Sequence, residues 1–383
     1  MSRANCESVF KGVVMKVTFN RAALVEALGL VGSVVPARTP KPILRCVRII
    51  ATDKSLSLSA TNLEVGLTFT MPEVEVATEG EVVVEADHLS AIVRESVEDV
   101  LVLGVTETSC EIRGADSKFT LYTQDPKQFP KVPVFEEGKA DIEVTLENLQ
   151  VGATQCLFAT AKESSRYAIN GVLWEAKGKK LFLVATDGRR LARSRVELQG
   201  AASDAFTKQK IIVPSRTMAI LEKITLHSED VVSVRLVDNQ VLIRCGNIVI
   251  SSTLVEGNFP KYEDIVPKDY DKKITLSTQQ TLSAVRRAAL LTSEESKGVK
   301  LSIGSNTLVF SGGSPETGDA EVTMQITYKG DPIEIGFNPQ FLVDALRVIR
   351  AADFEMELGQ ADRPGVIKSD ADFLYVLMPI NLG

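Results

Sequence analysis

Apolar and polar residues alternate along much of the chain, and Glu143-Val144-Thr145-Leu146 is typical. A period of two buries one face of a strand and leaves the other wet. Between these runs stand stretches with helical spacing, which predict helices at roughly 21–32, 88–96, 147–162, 215–224, 279–292 and 339–350. Asn20 and Ser277 precede two of them, where a short polar side chain can accept an orphan backbone N–H. The pattern is also written three times. Val17-Thr18-Phe19-Asn20 returns as Val144-Thr145-Leu146-Glu147 and again as Ile274-Thr275-Leu276-Ser277, at offsets of 127 and 130 residues.

Other landmarks keep the same order. Leu56–Asn62 lines up with Leu181–Asp187 and with Leu308–Gly313, at offsets of 125 and 127. Val82–Ala86, Ile211–Ser215 and Ile333–Phe337 each precede a helical pattern, and Phe129-Pro130-Lys131 returns as Phe259-Pro260-Lys261 after 130 residues. A triplication at this period is a domain-scale repeat. Each unit reads as strand, helix, several strands, a second helix and more strands. The expected fold is α+β, with three similar domains of two helices and mostly antiparallel sheet. The predicted boundaries are 1–14 for an N-terminal extension, then 15–139, 140–268 and 269–383.

Composition narrows the function. The 383 residues carry a net charge of −7, which argues against gripping nucleic acid by bulk charge. No apolar run approaches membrane-spanning length, and Met1–Val14 lacks a signal-peptide core, so a cytoplasmic protein is expected. The five cysteines are scattered, with no CxxC pair, and read as reduced and mostly buried. His88 and His227 are the only histidines, which excludes a His-rich metal site and leaves little for a nucleophile–base pair. No GxGxxG, GxxxxGK[ST] or GxSxG is present. Gly178-Lys179-Lys180 reads as a hairpin turn, Ser311–Ser314 as a loop between strands, and Asp187-Gly188 as a tight turn. No catalytic residue, metal or cofactor is expected.

The charge is unevenly placed. The six predicted helices hold nine Lys and Arg against five acids, while the chain as a whole is acidic. That distribution fits either scatter on a small count or a basic helical face that meets phosphates without reading sequence.

From Met15 to the C-terminus the chain resembles the bacterial DNA polymerase III beta subunit family, the sliding clamps. The resemblance rests on Met15–Phe19, Pro42-Ile43-Leu44, Ser165–Gly171, Val184–Ala192, Gly257–Tyr262 and Tyr375–Leu382, together with the triplication. It implies a head-to-tail dimeric ring of six similar domains, helices lining the hole, and duplex DNA encircled without sequence readout. It implies a non-catalytic processivity factor near the nucleoid. Its expected partners are the clamp loader, the polymerase III catalytic subunit, and other polymerases and repair proteins, which dock through short Gln/Leu/Phe peptides.

Site residues follow by position in the resemblance. Arg38, Arg166 and Tyr167 match DNA-touching loop positions. Phe119 and Leu121 of one subunit match a ring-closing interface with Leu290 and Leu291 of the other. A peptide pocket is implied at Ile169, Thr186, Gly188, Arg190, Leu191 and Pro260, completed by Ile265, Tyr328, Val376, Met378, Pro379 and Ile380. An apolar cleft with an adaptable Met suits a hub for varied peptides. The chain departs from the family pattern at Arg189, where His is frequent, at Glu263-Asp264, at Glu163 and Ala168, and at Asn381 and Gly383. Two readings remain beside the main clamp: a clamp-like paralogue with altered peptide preference, and an enzyme on a repeat scaffold.

Overall fold

The computed structural model describes residues 12–72, 74–162, 168–227, 229–292, 298–369 and 372–381. Of the predicted extension, residues 1–11 lie outside the described residues. The chain forms two compact units that do not follow the repeats. One comprises 1–146 and 223–253, the other 147–222 and 254–383.

The first unit holds two antiparallel sheets. In the smaller, the spatial order is Glu75–Thr78, Met15–Asn20, Val100–Val105, Ser109–Arg113 and Lys118–Tyr122. The larger runs Ile142–Thr145, Val231–Val237, Gln240–Cys245, Ile248–Thr253, Val65–Met71, Ser55–Thr61, Cys46–Thr52 and Gly80–Glu85. Residues far apart in sequence meet inside it, with Ile250 opposite Leu67.

The second unit repeats the plan. Its larger sheet runs Ile211–Pro214, Gly171–Lys177, Lys180–Thr186, Arg190–Glu197, Phe373–Leu377, Gly365–Ser369, Asp353–Leu358 and Lys272–Ser277. The join between repeats falls where Ala192 lies opposite Tyr375. The smaller sheet runs Gly318–Gln325, Thr307–Ser314, Val299–Gly304 and Ile333–Phe337.

Helices pack in pairs, one pair per repeat. Arg21–Gly32 lies against Ala86–Glu95, and Thr278–Ala288 against Pro339–Val348. Leu146–Leu157 is tied to Ser215–Leu221 by a hydrogen bond from Gln150 Nε2 to the Leu221 carbonyl, at 3.0 Å. Gly152 lets that helix sit close on its sheet, because a Cβ there would meet Leu183 Cδ1 at 2.6 Å and Val196 Cγ2 at 2.7 Å. Buried Cys156 donates to the Leu183 carbonyl at 3.2 Å, and Ser194 Oγ donates to Gln155 Oε1 at 2.6 Å. Among the described residues no helix is long and apolar enough to cross a membrane.

Local expectations fare unevenly. Asn20 Oδ1 caps its helix by accepting from Ala23 N at 3.2 Å, whereas Ser277 occupies the cap position without a side-chain bond. The helix predicted over 147–162 ends at Leu157. Thr160 Oγ1 donates back to the Leu157 carbonyl there, at 2.9 Å. Ser311–Ser314 belongs to a strand rather than a loop. Gly312 belongs there because a Cβ would meet the Ala288 carbonyl at 2.7 Å, so glycine admits the helix end beside the strand. With the observed helix limits, Lys162, Lys223, Arg350 and Glu222 fall outside helices, and Asp87 and Asp204 fall inside them. The helical excess of positive charge shrinks accordingly.

Candidate functional site

The predicted pocket residues all belong to the second unit. Its frame is the turn Thr186–Arg190, between two strands of the larger sheet. Asp187 Oδ1 accepts from Arg189 N at 3.0 Å and Arg190 N at 3.1 Å. Thr186 Oγ1 donates to the Arg190 carbonyl at 2.6 Å and accepts from Gly188 N at 3.1 Å. Gly188 has φ +87°, a left-handed backbone that glycine adopts without steric cost. Short polar side chains closing on their own backbone fix such turns.

Arg190 leaves this turn as the hub of the site. Its Nε donates to Asp187 Oδ2 at 3.0 Å, Nη1 to Asp344 Oδ2 at 2.8 Å, and Nη2 to the Phe158 carbonyl at 2.7 Å. Its side chain is only 10% exposed. The guanidinium lies 4.4 Å from the Phe341 ring centroid and 5.3 Å from that of Phe158. Burial works against the charge, but the Asp344 hydrogen bond and the field of Asp187 outweigh it and hold the guanidinium above its ordinary value. Arg190 thus joins the turn, the end of helix Leu146–Leu157 and helix Pro339–Val348. A planar fork with fixed donors is suited to that task, and a lysine is not.

Tyr375 backs the hub. Its hydroxyl donates to the Phe341 carbonyl at 3.0 Å, and its ring lies 5.7 Å from Phe158. Burial first of all pushes its hydroxyl well above the ordinary phenol value, against the opposing field of Arg190. The tail after the last strand is held to the turn by Met378 N donating to the Arg189 carbonyl at 3.0 Å. It is then held to the smaller sheet by Ile380 N donating to the Gly336 carbonyl at 2.9 Å.

On the sheet's other face, Leu191 and Val376 join Ala168, Leu173, Val184, Ile212, Tyr262, Val366 and Leu374 in one apolar cluster. Val255, Phe259, Val266 and Tyr270, from the connection after the central repeat, pack against it. Tyr262 is anchored by donating to Glu175 Oε2 at 2.8 Å. Ile169 is buried, Pro260 and Pro379 are half-buried, and Ile265 and Met378 are exposed at 39% and 42%. The arrangement offers flexible and apolar groups around a rigid polar hub.

Tyr328 makes its hydrogen bonds within its own repeat. It is 5% exposed, its hydroxyl donates to the Asp331 carbonyl at 2.8 Å, and its N–H meets Asn306 Oδ1 at 3.4 Å. The rings that lie over the Arg190 guanidinium are Phe341 from the third repeat and Phe158 from the second. Sequence reasoning missed both, along with Asp344 and Tyr375. The available signal was helical phase: Phe341 and Asp344 stand three apart, on neighbouring turns of one helix face.

The other predicted residues lie elsewhere. Arg38 is exposed in the first unit, while Arg166 and Tyr167 lie outside the described residues. Phe119 is 39% exposed on the edge strand Lys118–Tyr122, with Leu121 half-buried beside it. Leu290 is 76% exposed and Leu291 half-buried in the short turn Ala289–Leu291 after helix Thr278–Ala288. His88 is exposed and pairs with Glu85 at 2.8 Å, and His227 is exposed in a turn.

Known proteins align with the whole arrangement. The DNA polymerase III beta subunit N-terminal, central and C-terminal domains match residues 15–133, 143–261 and 263–381. A beta sliding clamp from Pseudomonas aeruginosa is 32% identical over 373 residues, covering 96% of this chain and all of that protein. The solved structure of a Pseudomonas aeruginosa sliding clamp bound to griselimycin has a TM-score of 0.87 at 31% identity, covering 96% of this chain and 99% of that one. A Bacillus subtilis clamp structure has a TM-score of 0.89 at 27% identity, with the same coverage of both chains.

Proposed function

The chain belongs to the DNA polymerase III beta subunit family, the beta sliding clamps, and from that premise we propose how its residues carry out a clamp's work. Its role is that of a non-catalytic processivity factor, which encircles duplex DNA and tethers a polymerase to its template. A closed ring retains DNA by topology, so local affinity can stay low enough for sliding. The repeats 15–139, 140–268 and 269–383 serve as three clamp domains.

One observation carries the ring reading. The strands Val65–Met71, Arg190–Glu197 and Gly318–Gln325 are equivalent by repeat, and so are Lys118–Tyr122, Ile248–Thr253 and Phe373–Leu377. Two of the three cross-repeat pairings are formed within the chain: Val65–Met71 with Ile248–Thr253, and Arg190–Glu197 with Phe373–Leu377. The remaining two strands, Gly318–Gln325 and Lys118–Tyr122, are open sheet edges. An open edge is a row of unpaired N–H and C=O groups ready to template a strand. A second copy related by a two-fold axis satisfies both edges twice and closes the assembly. Phe119 and Leu121 then meet Leu290 and Leu291 of the partner as the apolar seal. Arg38, Arg166 and Tyr167 touch the DNA backbone, joined by the exposed helical residues Arg94, Arg216, Arg286, Arg287 and Arg347.

The group around Arg190 and Met378 serves as the docking site for short Gln/Leu/Phe peptides of the loader, polymerases and repair proteins. Fluorescence anisotropy of a labelled Gln-Leu-x-Leu-Phe peptide tests it. Saturable binding that vanishes on removing residues 378–383 while the dimer persists is expected. Undiminished binding after that truncation overturns the site.

A further inference from the structure

On the face of the second unit's larger sheet opposite helix Leu146–Leu157 lies a cavity of about 200 Å³. Four cations line it, Lys180, Arg193, Arg195 and Lys368, against one acid, Asp372. Strand pairing sets Phe182 opposite Arg195, Arg193 opposite Leu374, and Leu374 opposite Lys368, so these side chains share one face. Leu183 and Val196 point the other way, toward helix Leu146–Leu157.

Two of the four cations are already paired. Arg195 reaches Asp372 at 2.5 Å and Glu197 at 3.7 Å. Lys368 reaches Glu357 at 2.5 Å and lies 5.7 Å from the Tyr270 ring. Arg193 and Lys180 make no ion pair among the described residues. The Arg193 guanidinium rests 5.8 Å from the Phe182 ring, and its Nε is buried without a hydrogen-bond partner. A buried guanidinium N–H left unmatched is costly, and a carboxylate is the acceptor that fits its fork.

The cavity shares one side chain with the apolar cluster beside the proposed docking site. Leu374 lines the cavity and also belongs to the apolar cluster of Leu191 and Val376. Arg193 stands two residues along the strand from Leu191, about 7 Å at the usual rise. We propose that this cavity is an acidic-residue subsite of the peptide site, receiving the carboxylate of an Asp or Glu about two to four residues from the apolar anchor of a partner peptide. The inference rests on the peptide-docking reading given above. The chain's net charge of −7 makes a general attraction for acidic peptides unfavourable, so any preference must be local.

The test is anisotropy at low salt with two sets of labelled peptides. All carry Gln-Leu-x-Leu-Phe, flanked at either end by Asp-Asp in one set and Asn-Asn in the other. The ratio of their Kd values is read for the native protein, Arg193→Gln and Lys180→Gln. One acidic flank should bind roughly fivefold tighter to the native protein, with the ratio falling toward one in Arg193→Gln and partway in Lys180→Gln. An acidic flank without advantage, or one whose advantage survives Arg193→Gln, overturns the subsite while leaving peptide docking intact. Absence of binding by every peptide overturns the docking reading and the subsite with it. Inorganic phosphate binding that depends on Arg193, with no flank effect at matched ionic strength, makes the cavity a free-anion site and also overturns the proposal.

Discussion

Replacing Arg190 with Ala is the sharpest perturbation of the second unit. The side chain is 10% exposed and satisfies two carboxylates and one carbonyl at 2.7–3.0 Å. Removing one partner of a fully buried ion pair costs roughly 3–5 kcal/mol, because the other charge is left without its counterpart. Asp187 and Asp344 keep 20% and 18% exposure, so water relieves part of that cost. The gap left between the Phe158 and Phe341 rings adds about 1 kcal/mol of lost ring–cation attraction. A net loss of about 3 kcal/mol is expected, and about half of that for Arg190→Lys, whose single ammonium cannot span three acceptors. Trp174 is the chain's one tryptophan and is fully buried in the same sheet. Urea unfolding followed by its fluorescence therefore reports on this unit. The Ala variant should also weaken Gln-Leu-x-Leu-Phe binding by at least about tenfold, since the turn and the two helix ends lose their common tie. A midpoint shift equivalent to less than about 0.5 kcal/mol would refute the view of Arg190 as the hub.

Two further outcomes follow from other parts of the molecule. Charged replacements at Leu290 and Leu291, or at Phe119 and Leu121, should each give monomers in sedimentation velocity, and a surviving dimer in either would sink the seal assignment. Burial raises the pKa of the Glu175 carboxyl, but hydrogen bonds from Tyr262, Lys210 and Lys177 more than offset this and leave it below the ordinary 4.5. Folded protein then holds fewer protons here than unfolded protein, so the stabilisation is complete above pH 4.5 and drains as pH falls through the depressed folded value. The Trp174 urea midpoint should drop over that acidic window, and Glu175→Gln should flatten the drop; an unchanged profile contradicts the network.

The triplication and the strand–helix alternation are legible in the sequence because they are local patterns, written into Val17–Asn20 and its two echoes. Turn chemistry is legible for the same reason: Thr186, Asp187 and Gly188 carry their geometry in their own side chains. What local pattern cannot carry is pairing at a distance. Nothing near Ile250 announces Leu67 as its partner, so the compact units cut across the repeats. The site suffered likewise. Tyr328 is implied by the resemblance alone, and its hydrogen bonds are with Asn306 and Asp331. Phe341 reaches Arg190 only because two repeats share one sheet. Helix charge was overcounted because the apolar pattern runs past the true ends, as at Leu157.

The measurement that tests the central claim most directly is retention on DNA of defined topology. The protein is loaded by its own clamp loader onto a nicked circular plasmid, and the complex is isolated by gel filtration at high salt. A closed ring predicts co-elution with the circle and release once a restriction enzyme cuts it, because free ends let the ring slide off. Loss of the protein in high salt before cutting, or retention unchanged after it, would contradict encirclement.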